Sequence, residues 1–318
     1  MSGDIEIRGL NVSFADRNRV TQAVADVNIR FEEGSITGLI GESGSGKSVL
    51  GMSILRLLPA TAKVEGSCVY GGRDLFSLSE AQMRKVLGKE IALIPQNATE
   101  SLNPVRTVGG QLTECVTIHQ RREKKAALRR RDELLVRLGF HSPGRINSSY
   151  SFELSGGMNQ RAVSALGLMN RPEWVIADEP TKGLDAVLRR QVYQVLKEAG
   201  KSEAGGMIVI THDIPLAGAL CDRLAVLYRG RIVEQGRTGE ILRQPAHPYT
   251  EGLMGALPEN GMRPIPRPDP AKTASGCGFY PRCPYGAEMC RKNIPAETTL
   301  KDGRRVRCFR RGREVQDD

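Results

Sequence analysis

The residues best suited to chemistry stand together at Gly41-Glu42-Ser43-Gly44-Ser45-Gly46-Lys47-Ser48. The pattern G-x-x-x-x-G-K-[ST] is met at every fixed position. It lies between the short apolar run Ser35–Ile40 and a helical pattern that starts at Val49 and stops before Pro59. Glycines there let successive backbone N–H groups turn inward onto phosphate oxygens, and the following helix adds the positive end of its dipole. Lys47 is expected to reach the β- and γ-phosphates, and Ser48 to offer its hydroxyl oxygen to Mg2+. The expected ligand is a nucleoside triphosphate. A second chemical pair follows well downstream of Ser48, where Trp174-Val175-Ile176-Ala177 ends in Asp178-Glu179. Beside a phosphate loop, Asp178 can hold Mg2+, directly or through water, and Glu179 can orient or deprotonate the attacking water. A third motif, Leu154-Ser155-Gly156-Gly157-Met158, opens an apolar helical run to Leu168 and makes another anion-binding helix start. One chain needs one phosphate loop, so this second anion site makes sense closing over the nucleotide of a partner.

Four of the seven cysteines, Cys277, Cys283, Cys290 and Cys308, crowd together near the end in the pattern C-x5-C-x6-C-x17-C. In a cytosolic chain such a cluster points to metal rather than to disulfides. Four thiolates suit tetrahedral zinc or an iron–sulfur cluster, and zinc sites usually pair cysteines a few positions apart. No such short pair occurs here; the wider gaps, together with the family resemblance given below, favour [4Fe–4S] over zinc, with free thiols as the third alternative. Cys68, Cys115 and Cys221 are isolated and read as small buried hydrophobes.

These groups need elements to carry them. Ile5, Ile7, Leu10 and Val12 alternate imperfectly, as a strand would. Short apolar runs recur at 36–40, 91–95, 174–177, 207–210 and 224–228, several with helix-length segments between them. That is the pattern of an α/β sheet with mostly parallel central strands. Residues 108–139 hold many helix formers and read as a helical insertion. The Pro-rich stretch 258–275 reads as a linker or extended wrap.

With 318 residues, 40% hydrophobic and 26% charged, the chain is long enough for one large domain plus an appendage and is not globally disordered. No apolar run approaches the roughly 18–20 residues of a membrane span. The opening residues lack the layout of a secretory signal, so a cytosolic chain is expected. The net charge of +10 is concentrated in residues 119–131 and 262–318, each carrying +6, which leaves the remainder near −2. A nucleic-acid binder often carries a basic stripe on its main fold. Here the main fold is near neutral, and segment 119–131 reads as a solvated face of the inserted lobe.

In order and spacing, the phosphate loop, Gln96, Leu154–Met158, Asp178-Glu179, Gly183-Leu184-Asp185 and His212 resemble the nucleotide-binding subunit of an ATP-binding-cassette (ABC) transporter. The resemblance covers roughly residues 4–245 and implies an α/β phosphate-loop fold that binds and hydrolyses ATP with Mg2+. It implies that Phe14 stacks on adenine, that residues 41–49 contact the nucleotide, and that Gln96 contacts Mg2+ or the attacking water. The stretch from Asn97 to Thr107 would face the membrane partner, His212 would sense the γ-phosphate, and Asp185 would cross the interface of an ATPase pair. Lys47, Gln96, Glu179 and His212 are then the catalytic set. In the paired state, ATP would lie between one chain's phosphate loop and the other's Ser155, Gly156, Gly157 and Met158.

The segment His247-Pro248-Tyr249-Thr250 resembles the carboxy-terminal extension of the oligopeptide, dipeptide and nickel importer branch. Met158, where glutamine is commoner in the family, fits that branch. Thr181-Lys182-Gly183 departs from its usual Thr-Thr-Ala. The expected architecture is an ATPase domain over 1–245, with a helical subdomain near 97–170, and a small cysteine-rich extension over 246–318. Implied partners are two transmembrane permease subunits, an external solute-binding protein and a second ATPase, non-identical or a second copy, at the inner membrane's cytoplasmic face. No nucleic acid is expected. Peptides are the leading cargo, ahead of nickel, another metal chelate or an opine-like solute. A soluble cassette ATPase acting on nucleic acid or ribosomes, and an iron–sulfur redox protein that binds ATP, are the rivals from other classes.

Overall fold

The computed structural model describes residues 3–16, 19–118, 124–272 and 275–314. Residues 119–123, the start of the basic segment, lie outside them. Twelve strands form two sheets among the described residues. β1 (Ile5–Asp16), β2 (Arg19–Phe31), β4 (Ala62–Tyr70) and β5 (Arg73–Asp74) make an antiparallel sheet in the order β2-β1-β4-β5. The uneven spacing of apolar residues in β1 has a local cause. The register shifts between Ile7 and Leu10, where Gly9 takes φ +58°, and the extra residue keeps Ile5, Ile7, Leu10 and Val12 all buried.

The larger sheet contains β3 (Ile36–Ile40), β6 (Ile91–Ile94), β7 (Trp174–Asp178), β8 (Gly206–Ile210), β9 (Arg223–Tyr228), β10 (Arg231–Arg237), β11 (Thr298–Thr299) and β12 (Arg305–Val306). Its order is β11-β12-β10-β9-β3-β8-β7-β6, parallel from β9 to β6 and antiparallel beyond. Successive residues point to opposite faces of a strand, so a strand buried on both sides reads as a continuous apolar run. In β7, Val175 and Ala177 join the core under the helices, whereas Trp174 and Ile176 join the core shared with the antiparallel sheet. Four of the five parallel strands, β3, β6, β7 and β8, place their C-terminal ends side by side. Ligand crevices in such sheets form at that edge.

The expected helical insertion is present as helices Val108–Thr117, Lys124–Arg137 and Pro143–Ser148, followed by Gly156–Leu168. Arg161 ties the lobe together: its guanidinium donates to the carbonyls of Leu138 and Gly139, both at 3.0 Å, and lies 4.2 Å from the Phe140 ring centre. Lys124, Lys125 and Arg129 are exposed on the lobe, whereas Arg130 donates to the Leu168 carbonyl and the Arg131 side chain is only 16% exposed, so the segment is a solvated face in part. The extension does not hang free. β11 and β12 continue the main sheet from β10, although the sequence shows no strand signal there.

Candidate functional site

Strand β3 is buried throughout and delivers the chain into the glycine-rich turn at the sheet's C-terminal edge. The glycines are required by space as well as by φ. Gly41 has φ +147° and a Cβ there would meet the Leu227 carbonyl oxygen at 2.2 Å. Gly46 has φ +102°, and its Cβ would meet the Ala23 carbonyl oxygen at 2.4 Å. Lys47, buried at the start of helix Lys47–Ile54, folds back so that Nζ donates to the carbonyls of Gly41 (2.8 Å) and Glu42 (2.9 Å). Desolvation pulls its pKa down, while the charges of Glu179, Asp178 and Glu42 act in the opposite direction. A buried cation held by two carbonyls at the cavity wall is poised for an anion.

One cavity of about 610 Å3 is lined by residues 41–49 together with Gln96, Glu179, Lys182 and His212. Gln96 arrives from β6, Glu179 from β7 and His212 from β8. The Glu179 carboxylate accepts from the His212 backbone N–H at 3.1 Å, and its Oε1 lies 2.7 Å from His212 Nδ1. Glu179 adopts φ +48°, a conformation disfavoured for a non-glycine residue and held by its N–H bond to the Ile210 carbonyl. Its side chain is 11% exposed, whereas that of His212 is 70% exposed at the cavity rim.

Asp178 sits behind this surface. Burial pushes its carboxyl pKa up, against a hydrogen bond from Ser48, and its Oδ1 is buried with no hydrogen-bond partner. An orphaned carboxylate oxygen beside a serine hydroxyl is the donor set a hard divalent cation takes. The residues therefore fit Mg2+.

The remaining expected site residues lie elsewhere. Phe14, on β1, is partly buried against the core shared by the two sheets and does not line the cavity. Ser155 caps helix Gly156–Leu168 by accepting from the Met158 N–H at 3.3 Å; Ser155 and Gly156 are exposed, and Ser155 through Met158 lie outside the cavity. Asp185 caps helix Ala186–Glu198, its Oδ1 accepting from the Val187 and Leu188 N–H groups, both at 2.9 Å.

Cys277, Cys283, Cys290 and Cys308 all line a second cavity of about 320 Å3. The expectation that these cysteines hold a metal group, cluster or single ion, finds no support in their placement. Among the described residues, no group of three or more His, Cys, Asp or Glu side chains is placed to hold a metal ion. Burial pushes the Cys283 thiol up to about 11 and raises those of Cys277 and Cys308.

Sequence reasoning missed Lys182 as a cavity residue, registering it only as a departure. It also missed the extension's share of the site: Leu253 lines the same cavity, the Tyr249 hydroxyl accepts from the Glu42 N–H at 2.8 Å, and Arg282 pairs with the Glu42 carboxylate. No local signal could have revealed contacts between positions so far apart in the chain.

Residues 24–182 match the family model described as ABC transporter, and residues 233–290 match that described as oligopeptide/dipeptide transporter, C-terminal region. The chain is 39% identical over 316 residues to a probable peptide ABC transporter ATP-binding protein of Sinorhizobium fredii, covering 96% of this chain and 94% of that one. It is 36% identical over 312 residues to a dipeptide transport ATP-binding protein of Escherichia coli, covering 96% and 95%. Its fold is similar to a bacterial ABC transporter cassette solved as a dimer, with TM-score 0.67, 24% identity and coverage of 74% of this chain and 98% of that one.

Proposed function

Because the chain belongs to the ABC transporter family, we propose that it is the ATP-hydrolysing subunit of a bacterial importer of di- and oligopeptides. One observation carries the ATPase reading: four parallel strands deliver the phosphate loop, Gln96, the Asp178-Glu179 pair and His212 to one edge. The match of residues 233–290 to an oligopeptide/dipeptide transporter region supports the peptide cargo over the other solutes.

The backbone N–H groups of the loop and Lys47 bind the phosphates and neutralise their charge, which is most of what phosphoryl transfer requires of a protein. Ser48 and Asp178 would hold Mg2+, which supplies further charge neutralisation when bound. Glu179 takes the proton of the attacking water, and His212, 2.7 Å away, orients that carboxylate and faces the γ-phosphate. Gln96 bridges the cavity to the stretch that follows it. Phe14 would stack on adenine from outside the present cavity. The exposed helix start at Ser155–Met158 and the Asp185 loop lie off the chain's own cavity, which supports a paired state in which they close over the nucleotide of a second cassette ATPase.

We assign residues 1–245 to the ATPase domain, with the helical subdomain near 97–170, and residues 246–318 to the extension. The complex would include two permease subunits and a solute-binding protein, with this chain peripheral on the cytoplasmic face. Among the described residues no helix is long and apolar enough to cross a membrane. Glu179→Gln is expected to cut hydrolysis by about 10²–10⁴-fold while nucleotide binding persists; hydrolysis unchanged in that variant would overturn the assignment. Pull-down from gently solubilised membranes should recover two multi-span subunits and a second cassette ATPase. Recovery with ribosomes or DNA instead would sink the transport reading and leave the ATPase standing.

We propose further that Cys277, Cys283, Cys290 and Cys308 hold a [4Fe–4S] cluster. What supports this reading is that all four cysteines line one cavity, four thiolates being the ligand set such a cluster takes. Anaerobically purified protein should contain iron and acid-labile sulfide in equal amounts. Stoichiometric zinc without sulfide overturns this reading.

A further inference from the structure

Glu42, the second residue of the phosphate loop, is gripped from three sides. Its carbonyl accepts from Lys47 Nζ at 2.9 Å, so its position sets part of the ammonium's cradle. Its N–H donates to the Tyr249 hydroxyl at 2.8 Å. Its carboxylate receives a bidentate pair from Arg282, Nη1 to Oε2 at 2.8 Å and Nη2 to Oε1 at 3.0 Å. Two of the three grips come from the extension, at the far end of the chain.

Those two residues are themselves fixed. Tyr249 is fully buried, with its ring 4.6 Å from Tyr228 and 5.5 Å from Phe279, centre to centre. Arg282 Nε donates to the Pro266 carbonyl at 2.8 Å, leaving both Nη atoms to face Glu42. The Arg282 side chain is 13% exposed and that of Glu42 is 40% exposed. The turn Tyr280–Arg282 also leads into Cys283, so the residue that grips the phosphate loop is the chain neighbour of a cysteine lining the second cavity.

We propose that Arg282 and Tyr249 are positioning residues for the nucleotide site: they clamp Glu42 so that the phosphate loop keeps the shape that receives a nucleotide. This rests on the nucleotide-site reading above and not on the cargo. Bidentate guanidinium–carboxylate pairs fix geometry as well as charge, which is what a loop built of glycines lacks by itself. The pair also cancels a carboxylate that would otherwise repel the incoming phosphates.

Electrostatics and clamping make opposite forecasts for one variant. If Glu42 mattered only as a charge, Glu42→Ala would tighten nucleotide binding. The clamp requires it to weaken. The experiment is titration of the full-length protein with MgADP by calorimetry, with steady-state ATP hydrolysis alongside. Arg282→Gln and Glu42→Ala should each raise the Kd for MgADP, and the KM for ATP, by about fivefold to tenfold, and Arg282→Gln should leave kcat within about twofold. The double variant should be no worse than either single one, because both remove the same interaction. Arg282→Lys, which cannot form the fork, should fall between wild type and Arg282→Gln. Tighter binding by Glu42→Ala, losses that add in the double variant, or binding within twofold of wild type in both single variants would each overturn the proposal. Should Arg282→Gln fail to fold, Glu42→Ala still decides, since it leaves the extension's packing intact. A wild-type protein that binds no MgADP would instead bring down the nucleotide-site reading itself.

Discussion

Gly46 and Gly44 show how much single positions in the loop differ. Both have positive φ, +102° and +75°, yet a Cβ on Gly46 would overlap the Ala23 carbonyl oxygen at 2.4 Å while one on Gly44 would meet nothing within 4 Å. Gly44→Ala should therefore cost only backbone strain, about 1–2 kcal/mol. Gly46→Ala adds a clash with backbone that cannot swing away, and should exceed that cost by at least about 2 kcal/mol. Urea unfolding of both variants without nucleotide checks the order; equal stabilities would contradict it. The sequence pattern names both glycines alike. Only the neighbouring strand β2, which supplies Ala23, separates them. The same holds for Asp178 and Glu179: their types and place after an apolar run were legible, but the orphaned Oδ1 and the 2.7 Å contact to His212 depend on three strands meeting.

At the scale of elements, the helix Pro248–Gly255 illustrates a cap with a pH dependence. His247 is its N-cap, and its Nδ1 accepts from the Tyr249 N–H at 3.0 Å. Complete burial pushes the imidazole pKa down to about 3. Protonation would destroy the acceptor. The unfolded chain binds that proton near pH 6.5, so the stabilisation is fully present above pH 6.5 and is lost as pH falls toward about 3. The slope in that window should reach about 1.4 kcal/mol per pH unit. Denaturant unfolding between pH 7 and pH 5 should show the decline, and His247→Asn, which keeps an acceptor without titrating there, should flatten it. An unchanged slope would remove His247 as its source. Strands β3, β6, β7, β8 and β9 were readable as apolar runs because both faces are buried. β11 and β12, each of two residues, were not, since they become strands only by pairing with β10 and with each other.

For the whole molecule, the extension is joined to the ATPase by a buried ion pair. Glu234 on β10 is 0% exposed and Arg304 is 6% exposed; they meet at 3.3 Å. Glu234 also accepts from the Ala246 and His247 N–H groups at 2.8 and 2.9 Å, so one carboxylate holds the sheet, the extension's first turn and its last hairpin. Arg304→Ala strands that carboxylate. Burial already pushes its pKa up, and proton uptake will limit the penalty, so the cost should be about 3 kcal/mol and should shrink at lower pH. Chemical denaturation at pH 7.5 and pH 5.5 tests both statements. A loss below about 0.5 kcal/mol would mean that the pair contributes little to the joint. The residues of the candidate site were legible from sequence alone because a phosphate loop and an acidic pair after a strand are marked by local residue types and local backbone geometry. So were the family and the parallel sheet. What only the tertiary structure decided is how the parts meet: that the extension completes the main sheet and that Glu42 is held from residues 249 and 282. Such contacts come from long-range packing, in which any two surfaces of suitable shape and charge can meet, and no local spacing encodes them.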